Sequence, residues 1–202
     1  MIVAYIAWPP DNGTYMWADP KTRGTQPPGV SCEVCGQRID YDAVNPNYKP
    51  PRSYYDLCRT YDGSFLVSSL LYEYFQKQNL QEVLFSEVAS SKRFFVLHCK
   101  NILKLVRPPT FQMKEFCESC HQFRSVYGII NEQLQDVVEP IHKGLFFSDL
   151  RVGYWPQMGH ELIVGVDTWK GMVEQGFKGL KNGEPVEQDA FIRGSGTMNG
   201  RS

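Results

Sequence analysis

Apolar positions along this chain fall into short alternating runs broken by turn residues, the pattern of a strand-rich fold. Residues 1–10 (MIVAYIAWPP) are apolar up to two prolines, which predicts a first strand; they lack the basic leader region of a signal peptide. From residue 9 to residue 51 turn-forming segments follow one another (PPDNG, TQPPG, NPNYKPP), so this stretch is read as loops. Residues 64–88 read as a short apolar strand, a cap at Ser68 or Ser69, a helix over 70–78 and a second strand over 80–88, where Val83 and Phe85 alternate with polar neighbours. Residues 92–106 (KRFFVLHCKNILKLV) predict a further strand with a turn at Lys100-Asn101, closed by Pro108-Pro109.

Residues 161–186 repeat the order of strand, cap, helix and strand. At one constant offset Leu66 and Val67 fall on Ile163 and Val164, Tyr72 on Trp169, Phe75 on Met172, Leu80 on Phe177 and Val83 on Leu180, with almost no identity. Shared ancestry and two independent units produce the same spacing. Together the elements predict an α+β fold, mostly antiparallel sheet with two strand-helix-strand units. A single domain is expected over 1–193, and 194–202 (GSGTMNGRS), with nothing to bury, is expected to be a flexible tail.

A chain of 202 residues suffices for one good core or two small ones, and 13% aromatic residues with 13 prolines favour strands and loops. Lys and Arg number 21 against 22 acids, for a net charge of −1. That balance counts against a chain whose task is gripping nucleic-acid phosphates, though not against a local basic patch. No run approaches the roughly 18 uncharged apolar residues of a membrane helix.

Two cysteine pairs constrain the chemistry more than any other feature: Cys32-Glu-Val-Cys35-Gly36 and Cys117-Glu-Ser-Cys120-His121. A two-residue spacer lets both sulfurs of a knuckle face one ion, at about 2.3 Å for Zn²⁺, and four thiolates close a tetrahedral structural site. Knuckles at 32–36 and 117–121 lie far apart, so the expected site is a clasp joining distant segments, in contrast to a compact zinc ribbon. Two unrelated cysteine pairs without metal are the alternative. A thioredoxin-like redox site fits less well, because neither pair sits at a recognisable strand-to-helix junction. Reduced knuckles suit a reducing compartment and hence a cytoplasmic chain, whereas six cysteines in a secreted chain imply disulfides.

The order of several segments carries a resemblance. Pro28-Gly29-Val30-Ser31-Cys32-x-x-Cys35-Gly36, the strand-cap-helix unit at 65–83 and the pair Cys117 and Cys120 come first. Ser148-Asp149-Leu150-Arg151 then leads into Leu162-Ile163-Val164, and Gly176-Phe177-Lys178-Gly179-Leu180 follows the second helix. This series resembles the bacterial double-CxxCG motif proteins, regarded as immunity proteins of polymorphic toxin systems, and runs from about Gly29 onward. It departs at His121, where the family usually has glycine, which makes His121 a competitor for a coordination position. The resemblance implies a non-catalytic inhibitor that binds a cognate toxin made by the same cell, and it carries over no catalytic residues.

Other candidates are weaker. None of the four histidines (His98, His121, His142, His160) belongs to an HExxH, GxSxG or P-loop pattern. His98 and Cys99 are neighbours on a strand and should point to opposite faces, which denies them a dyad. Cys58 and Cys99 are expected as small core residues, and Asp40, Asp42, Asp56 and Asp62 as solvated charge without the pattern of a calcium loop. Lys92, Arg93, Lys100, Lys104, Arg107 and Lys114 follow one another without an intervening acid. They form either a basic strip for an acidic partner or nucleic acid, or a solvated edge that discourages aggregation. Tyr154-Trp155-Pro156 is either an anchor for a partner or filling beneath its loop. Behind the immunity reading stands a zinc-dependent nucleic-acid-binding or regulatory module, and behind that a thiol enzyme.

Overall fold

The computed structural model of the protein describes residues 1–17, 27–50, 55–128, 133–180 and 183–188; the expected tail at 194–202 lies outside them. In chain order the elements are β1 (Ile2–Ala7), β2 (Leu57–Arg59), β3 (Phe65–Ser68), α1 (Ser69–Gln78), β4 (Val83–Val88), β5 (Ser91–Cys99) and β6 (Ile102–Leu103). There follow β7 (Gln112–Cys117), β8 (Gln122–Tyr127), β9 (Leu145–Tyr154), β10 (Gln157–Val164), α2 (Val166–Glu174) and β11 (Gly183–Glu187). The fold is mostly antiparallel sheet with two short helices.

Among the described residues the strands make a four-stranded sheet in the order β2-β3-β5-β4 and a seven-stranded sheet in the order β11-β1-β10-β9-β8-β7, with β6 parallel to β9. β3 and β4 each pair antiparallel with β5 and are therefore parallel to one another, and α1 lies between them in the chain. β10 and β11 flank β1 in the same manner, with α2 between them in the chain. A hairpin turn cannot join parallel strands, so each connection has to cross over, and a helix does it. The run at 92–106 turns at Lys100-Asn101 as expected, but the turn also changes sheet: β5 lies in the smaller one and β6 in the larger.

The helix starts are solved differently. Ser68 caps α1, its Oγ accepting the Leu71 amide at 3.2 Å and donating to Asp56 Oδ1 at 2.7 Å. α1 ends on Asn79 in the left-handed region, and Glu82 is left-handed too, which delays the strand expected from residue 80 until Val83. At α2 the cap position is Gly165, because a Cβ there would come within 2.9 Å of the His142 carbonyl oxygen. That close approach lets the Ile141 and His142 carbonyls accept the Val166 and Asp167 amides at 2.7 and 2.8 Å, so the loop substitutes for a capping side chain.

One central cluster joins the two sheets and both helices. Phe65, Val67, Leu71 and Phe75 meet Leu162, Val164, Trp169 and Met172 in it, and Tyr72 packs against it. The opposite faces are covered by loops: Leu66 and Val96 pack with Met16, Trp17 and Tyr48, and Ile6 and Ile163 pack with Leu105 and Leu134. Asp62, expected in solvent, is buried and organises the first of these coverings. Its carboxylate accepts the Met16 and Trp17 amides at 2.8 and 3.1 Å and the Thr60 hydroxyl at 2.7 Å, donors that a buried loop must satisfy. Arg38 does the converse, donating to the carbonyls of Asp40, Tyr41 and Ala43 and to Ser64 Oγ.

β10 carries two neighbouring titratable groups, the half-buried His160 and the buried Glu161. His160 stacks on Phe147 and donates from Nδ1 to the Ser148 carbonyl at 2.7 Å; burial lowers its pKa to about 4. Burial raises the Glu161 carboxyl to about 7, with the Arg59 charge opposing. The signs are opposite. The unfolded histidine takes up its proton below its ordinary 6.5, so the His160 contribution falls as the pH drops toward 4. The Glu161 penalty is complete above about 7 and disappears toward the ordinary 4.5, so its contribution rises over nearly the same interval. Glu161→Gln is therefore expected to raise stability at pH 8 by on the order of 2 to 3 kcal/mol. The variant should also lose stability on acidification from pH 7 to 4.5 more steeply than the parent in urea titrations; parallel pH profiles would refute the opposed pair.

Candidate metal centre

The two knuckles are built alike on different supports. The first follows the bridge between Pro28 and Ser31, and the Ser31–Arg38 bridge closes behind it; the second is the turn between β7 and β8. In the first the Gly36 amide donates to the Cys32 carbonyl at 2.8 Å, and in the second the His121 amide donates to the Cys117 carbonyl at 2.8 Å. Both turns end in the left-handed region, Gly36 at φ 73° and His121 at φ 55°. His121 thus takes the backbone place that glycine has in the first knuckle. Its side chain is exposed, with the ring centroid 6.1 Å from that of Phe116.

Matching turns bring the four sulfurs together. Sγ of Cys32 lies 3.9 Å from that of Cys117, Sγ of Cys35 lies 3.6 Å from that of Cys120, and all four lie within 4.8 Å of one another. Among the described residues this set of four cysteines, without His121, is the grouping that can hold a metal ion. Cys32 and Cys117 are buried and Cys35 and Cys120 half-buried. Hydrogen bonds from the Cys35 and then the Val34 backbone bring the Cys32 thiol down to about 6, and the Cys120 backbone lowers Cys117 in the same way. Burial pushes Cys35 up to about 12 and also raises Cys120. Each knuckle therefore pairs a thiol whose ionisation backbone hydrogen bonds favour with one whose ionisation burial opposes.

Three side chains brace the clasp. Gln37 Nε2 donates to the Phe123 carbonyl at 2.7 Å, which ties the first knuckle to β8. The Trp155 ring lies against Gly36, 3.6 Å from where a Cβ would be, and the Arg124 guanidinium sits 4.5 Å above that ring. Arg124 also pairs with Glu115 across β7 and β8 at 3.2 Å. Of the two readings of Tyr154-Trp155, Trp155 is filling against the knuckle, while Tyr154 points to solvent.

The remaining candidates separate. Cys58 and Cys99 are buried core residues, and Cys99 Sγ lies 2.8 Å from the Leu145 carbonyl. His98 and Cys99 face opposite ways: Cys99 belongs to the central cluster, whereas His98 bonds Ser86 on the other face. Lys92 and Arg93 stand on β5 in the smaller sheet, Arg107 pairs with Asp149 at 3.3 Å, and Lys114 is on β7, so the basic run is divided between the two sheets.

Sequence reasoning missed one constellation. Ser86 Oγ lies 2.9 Å from His98 Nε2, and Asp42 Oδ1 lies 3.1 Å from His98 Nδ1. The order is that of a hydrolase triad, but the surroundings differ. The Asp42 side chain is 84% exposed, and Ser86 lies mid-strand opposite Val96, where consecutive amides point in opposite directions and cannot converge on one oxyanion. The line instead fastens the 40–43 loop to β5. No spacing rule could have found it, since the loop and the sheet meet only in the folded chain.

Compared with family models, curated proteins and solved structures, the chain finds no match. Among the described residues no helix is long and apolar enough to cross a membrane.

If His121 serves the backbone and not the metal, His121→Gly should keep the full metal content. It should leave stability unchanged or raise it by up to about 1 kcal/mol, by removing a side chain from a left-handed position. Metal content by inductively coupled plasma spectrometry, alongside thermal melting, checks this; loss of metal would make His121 a ligand.

Proposed function

We propose that this protein is a non-catalytic immunity protein of the bacterial cytoplasm that binds and neutralises a cognate protein toxin, built around one structural Zn²⁺. The observation that carries the reading is the four-sulfur clasp, taken with the resemblance to the double-CxxCG motif proteins. A tetrahedron of sulfurs about 2.3 Å from a central ion has edges of about 3.8 Å. The 3.9 and 3.6 Å separations agree with it. Four thiolate ligands leave no position for water, which marks a structural centre as opposed to a catalytic one. Cys32, Cys35, Cys117 and Cys120 would hold the ion, and its role is to rivet the N-terminal loops to the β7–β8 hairpin. An inhibitor gains from this rigidity because less freedom is lost when it binds.

Two expectations test the reading at separate levels. Protein purified without chelator should carry one Zn²⁺ per chain in native mass spectrometry, and Cys32→Ser should melt at markedly lower temperature, because metal affinity here is folding free energy. A stably folded, metal-free chain with four free thiols would falsify the zinc assignment. For the function, coexpression with the toxin domain encoded beside this gene should rescue growth and yield a copurifying complex, while an unrelated toxin should remain lethal. Protection without a complex would sink the non-catalytic reading.

A further inference from the structure

The hairpin that carries the second knuckle presents exposed aromatic rings on its outer face. Residues opposite one another in the sheet share a face, so Gln112 with Tyr127, Lys114 with Ser125, Phe116 with Phe123, and Tyr154 beside Ser125 all lie on one side. Phe116 is 44% exposed and Tyr154 59%. The rings are held in place before any partner arrives. Phe116 packs on Phe123 with centroids 4.9 Å apart, and Tyr127 stacks on Tyr154 at 5.2 Å. The Tyr127 hydroxyl donates to Gln112 Oε1 at 2.7 Å, and Lys114 Nζ sits 5.1 Å over the Tyr127 ring. Among the described residues no carboxylate shares this face: Glu115 projects from the other side, paired with Arg124. Exposed, preordered aromatics are the composition of a binding hot spot, and Lys114, held by Tyr127, adds a cation with no carboxylate partner among the described residues.

The alternatives for this face are weaker on the same observations. Bases would need free ring faces and several phosphate-facing cations, but Tyr127 is covered by Tyr154 and Lys114, and among the described residues Lys114 is the one cation of the face. A second copy pairing along the edge of β7 would have to bring residues of like parity together. The two registers that pair most of the strand place Lys114 or Glu115 opposite itself, and Glu115 breaks the edge with a φ of 56°.

We infer that the face formed by β7, β8 and the end of β9 is the docking surface for the toxin, and that it fits a protein presenting an apolar patch with a carboxylate opposite Lys114. The inference rests on the toxin-binding reading and names its surface. The test is titration calorimetry of the zinc-loaded chain against an inactivated toxin domain from the neighbouring gene. Lys114→Glu, Phe116→Ala and Tyr154→Ala are compared with Leu70→Ala, an exposed control on α1. All four side chains are exposed, so metal content and melting temperature should be unchanged. Each of the three face variants should weaken binding by about tenfold or more, with the control unaffected. Lys114→Glu should in addition slow association most at low salt. If the parent binds and the three variants bind as tightly, the surface assignment falls and the toxin-binding reading stands. If the parent forms no complex, both fall. Dimers in light scattering that Lys114→Glu abolishes, or salt-sensitive RNA binding that it abolishes, would overturn the assignment in favour of a second copy or a nucleic acid.

Discussion

The constraint on which the rest depends is that four sulfurs meet within 4.8 Å although each facing pair is 85 residues apart in the chain. Closing a flexible loop of that length costs about 4 kcal/mol beyond a fixed term, and thiol contacts alone do not offset it. Two things can. One is the central core, which fixes the seven-stranded sheet and thereby the end of β9, against which β8 is registered. The other is a bound ion, whose apparent contribution in small zinc domains is about 10 to 16 kcal/mol. With the core as scaffold, an ion held by the four sulfurs would give the N-terminal loops an anchor that their own prolines and turns cannot supply.

The clasp also decides what the neighbouring surface can be. β7 is exposed along nearly its whole length and, among the described residues, joins the sheet through β8, which meets β9 at Ser125 and Val126. A two-stranded ribbon held so lightly is marginal in water. Here it is pinned at its turn by the second knuckle and at its flank by Trp155, which lies between Gly36 and the Arg124 guanidinium. Rigidity at the buried side of the hairpin is what lets the aromatic rings on its outer side keep one arrangement.

Much of this was legible from residue pattern, and the failures have physical causes. The cap at Ser68 and the helix after it follow from local chemistry, as does the burial of Cys99 away from His98. Each CxxC turn was legible because it is a local structure, whereas the meeting of the two across 85 residues was an expectation that local spacing does not dictate. Asp62 was misread because a carboxylate in loop-like sequence looks solvated until the loop folds over the sheet and its amides need an acceptor. The long hairpin of β9 and β10 left a weak signal, since β9 alternates only loosely and a bulge between His160 and Leu162 interrupts the period. The basic run failed as a strip because the chain changes sheet at Lys100-Asn101, a decision made by long-range pairing.

The two helix-bearing halves bear on how much that repeated spacing means. Each has two parallel strands split by an antiparallel one, and the matched residues Phe65 and Leu162, Val67 and Val164, and Phe75 and Met172 enter the same cluster. The splitting strand, however, comes from opposite directions in the chain: β5 follows β4, whereas β1 precedes everything else. A simple tandem copy would give the second half a splitting strand after β11, so duplication alone does not produce this topology without a rearrangement. Packing does account for the spacing. A strand that feeds a helix folding back on the same core must place apolar residues at alternate strand positions and then at helical intervals, and two such units facing one core must do so in step. The different caps, a serine side chain at Ser68 and a close-packed loop at Gly165, show the same geometric demand met by unrelated chemistry.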